Sequence, residues 1–173
     1  KLKENGYGSI GISINISPMQ LLRKGFVENL SGKIKEMQID PRNVGIEITE
    51  SVFASNYQEI NNILGRLKDM GIRIAIDDFG TGYSSLARGR ELNINYLKID
   101  KYFIDKLLIL KDIEESITGD IISMTHKMGH LAIAEGVEYE CDSIQGYLIS
   151  RPLDEEAAIE FLKKQTSIKN FVP

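Results

Sequence analysis

The chain has 173 residues, 42% of them hydrophobic and 27% charged, which is one domain's worth of material with enough apolar content for a true core. A formal net charge of −4 argues against a nucleic-acid polymer as partner, since such surfaces carry clustered Lys and Arg. A small anionic ligand stays compatible if something other than bulk charge, such as metal ions, offsets it. The single cysteine, Cys141, excludes an internal disulfide and suits a reducing compartment, so a cytoplasmic placement is expected. No apolar run approaches the roughly 20 residues of a membrane span, although a parent protein could still be membrane-tethered. The sequence opens at Lys1 without an initiator Met and reads as part of something longer.

Ser9–Ile16 alternates apolar and polar residues and is expected to be a strand that delivers Asn15 at its end. Ser17-Pro18 then supplies a hydroxyl cap and a proline at the first helical position. Phe26, Leu30, Ile34 and Met37 mark one face of the helix that follows. After the turn at Ile39–Asn43, Val44–Thr49 reads as a strand carrying Glu47 and leading to Glu50. Tyr57, Ile60, Leu64 and Leu67 give a second apolar helical face, closed by Gly71.

The centre of the sequence is Ile72–Leu86, IRIAIDDFGTGYSSL. Its apolar start is too short for a stable helix and rich in Ile, so it predicts a buried strand. That strand ends in Asp77 and Asp78, followed by a loop with Gly80, Thr81, Gly82, Ser84 and Ser85. Alternation along extended chain lets the two carboxylates face two directions, one bridging two cations and the other serving the second. Adjacent like charges at the mouth of a core are costly unless cations offset them. The blander reading gives one Asp to capping the next helix and the other to solvent.

Further on, Leu86–Leu92 reads as a short helix and Asn95–Asp100 as a strand with Lys98 among apolar neighbours. A stripe of Ile113, Ile117, Ile121, Met124 and Met128 predicts a helix that stops at Gly129. Next, HLAIAEGVE supplies a strand with Glu135 and Glu138 at its end, and Ile144–Ser150 a last strand carrying Gln145. A helix from Asp154 to about Lys164 closes the chain. His126 and His130 have the spacing of a helical zinc pair, but Gly129 intervenes and they precede their strand, at the wrong end of a barrel.

Strands alternating with helices predict an α/β fold with a parallel sheet. Asn15, Glu47, Asp77, Asp78, Lys98, Glu135 and Gln145 all fall in or just after those strands. A (β/α) barrel gathers residues from every strand at the carboxyl ends. A doubly wound sheet, the alternative, would leave those on distant strands apart. Two strands are short of a closed eight-stranded barrel. Only Tyr139–Asp142 lie between Glu138 and Ser143, too few for a parallel crossover. Either those strands are not parallel neighbours, or residues are absent between Glu140 and Cys141; the second is the expectation. Singly, each polar residue has a plain structural reading: a turn at Asn15, an exposed edge position at Glu47, pairing of Lys98 with Asp78 or Asp100, a bend at Glu135. Their joint placement at strand ends favours a site, and an all-oxygen donor set favours Mg²⁺ or Mn²⁺ over zinc.

At these strand ends the chain resembles the EAL family, bacterial phosphodiesterases for the second messenger cyclic di-GMP. The resemblance rests on INISP (14–18), IEITES (46–51), IAIDDFGTGYSSL (74–86), LKIDKYFI (97–104), IAEGVE (133–138) and IQGYLISRPL (144–153). It implies a TIM-like (β/α) barrel, incomplete here because the first strands and one late helix are absent, with residues 1–173 forming a partial EAL-like phosphodiesterase domain. The implied activity is hydrolysis of cyclic di-GMP to linear pGpG at a site with two Mg²⁺ or Mn²⁺ ions. A catalytically inactive receptor or regulatory module is the alternative. By resemblance, Asn15, Glu47 and Asp77 match ligands of one ion, and Asp77 with Asp78 those of the second. Lys98 matches the lysine that holds or polarises the attacking water. Glu135 matches a carboxylate for the second metal or for base duty, and Gln145 a glutamine beside the attacking water. Glu50 matches the anchor of the loop bearing Gly80, Thr81, Gly82, Ser84 and Ser85, and Glu138 a supporting residue behind the ligands. The Glu of the E-A-L signature belongs upstream of Asn15 and has no match in 1–173. The resemblance also implies linkage to other signalling domains and is compatible with a homodimer.

Overall fold

The structure, a computed structural model, describes residues 4–53, 56–79, 90–102, 117–135, 143–145 and 153–169. Of these, 11–145 belong to one compact unit and 4–10 with 153–169 to a second. The first unit holds strands β1 (Ile12–Asn15), β2 (Val44–Thr49), β3 (Arg73–Phe79), β4 (Tyr96–Ile99), β5 (Leu131–Glu135) and β6 (Ser143–Gln145). They form one six-stranded sheet in the order β1-β2-β3-β4-β5-β6, and every neighbouring pair is parallel. Sequential order without reversal is that of a barrel and excludes the doubly wound alternative, whose strand order reverses.

Helices α1 (Pro18–Leu21), α2 (Phe26–Glu36), α3 (Tyr57–Asp69) and α4 (Ile117–Lys127) lie between the strands. One face of the sheet is purely apolar. Ile46, Ile48, Ile74, Ile76, Leu97 and Ile99 form a buried core with Ile60, Leu64 and Leu67 of α3. Gly71 ends the α3 turn at φ +90°, a conformation glycine adopts without a Cβ penalty. In the second unit, α5 (Glu155–Lys169) begins with Asp154 Oδ1 accepting from Ala157 N–H at 2.9 Å. No described helix is long and apolar enough to cross a membrane.

Several sequence expectations shift at their edges. The first strand is Ile12–Asn15 and not Ser9–Ile16, because its ladder begins at Ile12↔Val44, where β2 itself begins. Before Val44 the chain is a 3₁₀ turn, Pro41–Asn43, which offers no ladder to pair with. The hydroxyl cap at Ser17 is present, with a reciprocal Gln20 side chain completing a capping box. It opens only the short α1; Gly25, left-handed at φ +79°, then sets α2 on a new course. Met37 is the C-cap of α2 and is exposed, so the buried stripe is Val27 and Ile34, with Phe26 and Leu30 half-buried. Residues 90–92 form a turn, and the rest of the helix expected at 86–92 lies outside the described residues. The final helix runs to Lys169, beyond its expected end near Lys164.

Beta-5 and β6 are parallel neighbours, with Glu135↔Gln145 in register. That removes one of the two explanations for their short connection. The Glu140–Cys141 junction itself lies outside the described residues, as do Glu138 and 146–150. The start of β4 is pinned from both sides. Asn95 N–H donates to Ile74 O at 2.8 Å, Ile74 N–H donates to Asn95 Oδ1 at 2.9 Å, and Leu131 N–H donates to Asn95 O at 2.9 Å. Lys98, three residues on, therefore has its height in the sheet fixed.

Candidate active site

Side chains of residues in register on parallel strands lie on the same face, and positions two apart share it. The ladder Asn15↔Glu47↔Ala75↔Tyr96 defines that face on the first four strands. Asp77, two beyond Ala75, and Lys98, two beyond Tyr96, are the next layer up. This is the face opposite the apolar core, and its upper layer sits at the carboxyl ends of the strands. Ile16 N–H donates to Glu47 O at 2.9 Å, continuing the β1–β2 pairing just past Asn15.

At the centre is Lys98, 1% exposed. Its Nζ donates to Glu47 Oε2 at 2.8 Å and forms an ion pair with Asp77 Oδ1, also at 2.8 Å. The side chains of Glu47 and Asp77 are 13% and 17% exposed. Carboxylates from β2 and β3 thus converge on one cation from β4, and their nearest oxygens are separated by at most twice the ion-pair distance. Burying an ammonium is unfavourable without such partners. Glu47 is accordingly no exposed edge residue, since β2 lies between β1 and β3.

Asp78 does not follow simple alternation. The ladder passes from Ile76↔Leu97 to Phe79↔Ile99, three steps along β3 against two along β4. The extra residue makes a bulge, and Asp78 sits in it at φ +54°. Asp is among the few residues that tolerate the left-handed region. Asp78 N–H donates to Asp77 Oδ1 at 3.1 Å. Partial loss of water, then the charges of Asp77 and Asp100, raise the Asp78 carboxyl above its ordinary value, against the opposing pull of Lys98. The bulge thereby returns Asp78 to the electrostatic neighbourhood of Lys98, where alternation would have sent it to the apolar face.

Asp100 belongs to this neighbourhood and was not singled out from the sequence as a site residue; its spacing of two from Lys98 was the available signal. Its Oδ1 accepts from Tyr102 N–H at 2.7 Å. Glu50 is buried at the start of the 3₁₀ turn Glu50–Phe53 that follows β2. Its expected partner loop, with Gly80, Thr81, Gly82, Ser84 and Ser85, lies outside the described residues. Glu135 and Gln145 occupy paired backbone positions at the ends of β5 and β6. Below Glu47, a cavity of about 250 Å³ is lined by Ser13, Gly45, Arg73, Ala75, Tyr96 and Ile133 among others. It is the lower layer of the same face. His126 is exposed near the end of α4, and His130 is buried before β5.

Among the described residues, no three His, Cys, Asp or Glu side chains form a ready metal cage. The donor chemistry nevertheless fits a hard divalent ion. Glu47 and Asp77 offer carboxylate oxygens around one buried cation position, and Asn15 is in register with Glu47 on β1.

The fold and this face define a parallel α/β barrel-type domain with an acidic site at its strand ends. The sequence profile of the EAL domain matches residues 1–152, and the chain belongs to that family. It is 38% identical over 174 residues to the signaling protein YkoW of Bacillus subtilis, covering 95% of this chain and 22% of that protein. It is 33% identical over 163 residues to the bifunctional diguanylate cyclase/cyclic di-GMP phosphodiesterase MucR of Pseudomonas aeruginosa, covering 88% and 24%. The chain thus spans about a quarter of the length of these relatives.

Among solved structures, the EAL domain of Mycobacterium smegmatis DcpA superposes with a TM-score of 0.84 at 36% identity, covering 94% of this chain and 77% of that one. The MucR phosphodiesterase in complex with c-di-GMP gives 0.78 at 32% identity, covering 90% and 67%. Klebsiella pneumoniae BlrP1, solved with manganese and cyclic di-GMP, gives 0.74 at 25% identity, covering 87% and 41%. Relatives in the family are cyclic di-GMP phosphodiesterases, and divalent metals occur in family structures.

Proposed function

We propose that the face carrying Glu47, Asp77 and Lys98 hydrolyses cyclic di-GMP to linear pGpG with two Mg²⁺ or Mn²⁺ ions. The observation that carries this reading is the convergence of two carboxylates and a buried ammonium from three strands on one point at the strand ends. Asn15, Glu47 and Asp77 would hold one ion, and Asp77, Asp78 and Glu135 the other. Bound divalent ions offset the charge of a phosphodiester and make water a better nucleophile. Lys98, held rigidly by its two carboxylates, orients the attacking water, and Gln145 completes the water's surroundings. Glu50 anchors the loop bearing Gly80, Thr81, Gly82, Ser84 and Ser85 over the substrate, and Glu138 supports Glu135 from behind. In the whole protein the domain would be joined to other signalling domains, with dimerisation as a further option, and would face the cytoplasm.

A receptor that binds cyclic di-GMP without cleaving it is the second reading, since Lys98 already offsets the charge of Glu47 and Asp77. Chromatographic assay of cyclic di-GMP turnover in Mg²⁺ or Mn²⁺ tests both. The expected result is pGpG from the wild type and a loss in Asp77→Asn exceeding the roughly 10- to 100-fold typical of outer-shell changes. Nucleotide binding without product would establish the receptor, and undiminished turnover in Asp77→Asn would overturn the metal-dependent reading.

A further inference from the structure

We propose that Lys98 is a built-in counter-ion that competes with divalent cations for Glu47 and Asp77, and so sets how tightly the site loads and which ions it admits. This rests on the metal-site reading above. The Lys98 ammonium engages Glu47 Oε2 and Asp77 Oδ1, each at 2.8 Å. These are oxygens that the metal-site reading assigns to an ion. Lys98 is 1% exposed, so it cannot leave for solvent without moving its strand, and Asn95 pins that strand to Ile74 and Leu131.

The consequence is a matter of charge. Two carboxylates with one ammonium carry a net charge of −1, and a cation entering beside them meets the repulsion of Lys98 at close range. A monovalent ion offers Glu47 and Asp77 no more charge than the ammonium already does, so it has little to gain by displacing it. A divalent ion does. Lys98 therefore filters by charge, and it weakens divalent binding below what the bare carboxylates would give. In exchange it holds those carboxylates in position while no ion is bound. Lys98 is in this respect a positioning residue, separate from any contact it makes with the attacking water.

The test compares Mn²⁺ binding to the wild type and to Lys98→Met, counting free Mn²⁺ by electron paramagnetic resonance at fixed K⁺. Removing one positive charge at this range should tighten Mn²⁺ binding about tenfold or more in Lys98→Met, and Mn²⁺ should raise the melting temperature of the variant more than that of the wild type. A merely structural lysine would not produce this gain in affinity. Equal or weaker Mn²⁺ binding by folded Lys98→Met overturns the counter-ion inference alone. Failure of the folded wild type to bind Mn²⁺ overturns the metal reading beneath it as well. Should Lys98→Met not fold, ¹⁵N NMR of the wild-type ammonium decides: Mg²⁺ should shift the Lys98 Nζ resonance, and a resonance unmoved at saturating Mg²⁺ overturns the inference.

Discussion

Two ion clusters in this chain have nearly the same geometry and opposite physical standing. Arg42 and Asp40 meet at 2.7 Å, two residues apart, with side chains 77% and 39% exposed. Lys98 meets Glu47 and Asp77 at 2.8 Å, across three strands, with the lysine side chain 2% exposed. Distance does not separate them; water does. The exposed pair is screened and freely replaced by solvent contacts, so it adds little to stability. Its job is local, since Asp40 Oδ1 also accepts from Arg42 N–H at 3.0 Å and caps the 3₁₀ turn before β2. The buried cluster has no such alternative. Its three charges tolerate burial only together, and a core of apolar side chains would have served the fold as well. A buried charge cluster at the strand ends of a barrel-type sheet is what a chemical site requires and what a stable core does not.

The largest expected effect follows from dividing the buried cluster. In the presence of chelator, Lys98→Met leaves Glu47 and Asp77 facing each other without a counter-ion, and urea unfolding should show a loss of about 3–5 kcal/mol. A variant as stable as the wild type would mean that the two carboxylates do not depend on Lys98. The matching change in the exposed pair, Arg42→Ala, should leave the urea midpoint unresolved from that of the wild type.

The smallest effect is one of titration. Side-chain hydrogen bonds from Arg42, then its backbone N–H, hold the Asp40 carboxyl down at about 2, against an ordinary value of 3.8. A depressed carboxyl contributes stability above its unfolded value and loses it as pH falls through the folded one, so any contribution fades between about pH 4 and 2. NMR titration of Asp40 should find that low midpoint, and in Arg42→Ala the midpoint should rise towards the ordinary value. An Asp40 already titrating at 3.8 in the wild type would remove even the local distinction between the clusters.

Much of this was legible in the sequence because strand ends leave a simple trace: an apolar run that stops at a charged residue. Asp77 was visible in that way, Glu47 and Lys98 as charged residues inside otherwise apolar strands, and the parallel sheet followed from alternation with helices. What was not legible depended on partners or on backbone twists that carry no composition signal. Ser9–Gly11 alternate like a strand, but the β1 ladder begins only at Ile12↔Val44, because the chain before Val44 is a 3₁₀ turn. The bulge at Asp78 uses the left-handed region with an Asp, where a glycine would have announced it. Met37 continues the helical spacing of Phe26, Leu30 and Ile34, yet α2 ends one residue earlier. The sequence offers Asp78 and Asp100 as ion-pair partners for Lys98. Its ion pairs at 2.8 Å reach past Asp77 to Glu47 on the far strand, which only a long side chain lying across the sheet can do.

Everything proposed for Lys98 and the strand ends depends on whether Glu47 and Asp77 hold a divalent ion. The direct measurement is anomalous scattering from crystals of the protein grown with Mn²⁺, collected at the manganese edge. The predicted result is a manganese peak at bonding distance from the carboxylate oxygens of both Glu47 and Asp77, on the strand-end side of Lys98. Manganese bound only elsewhere, with the Lys98 ammonium still holding both carboxylates at saturating Mn²⁺, would contradict it.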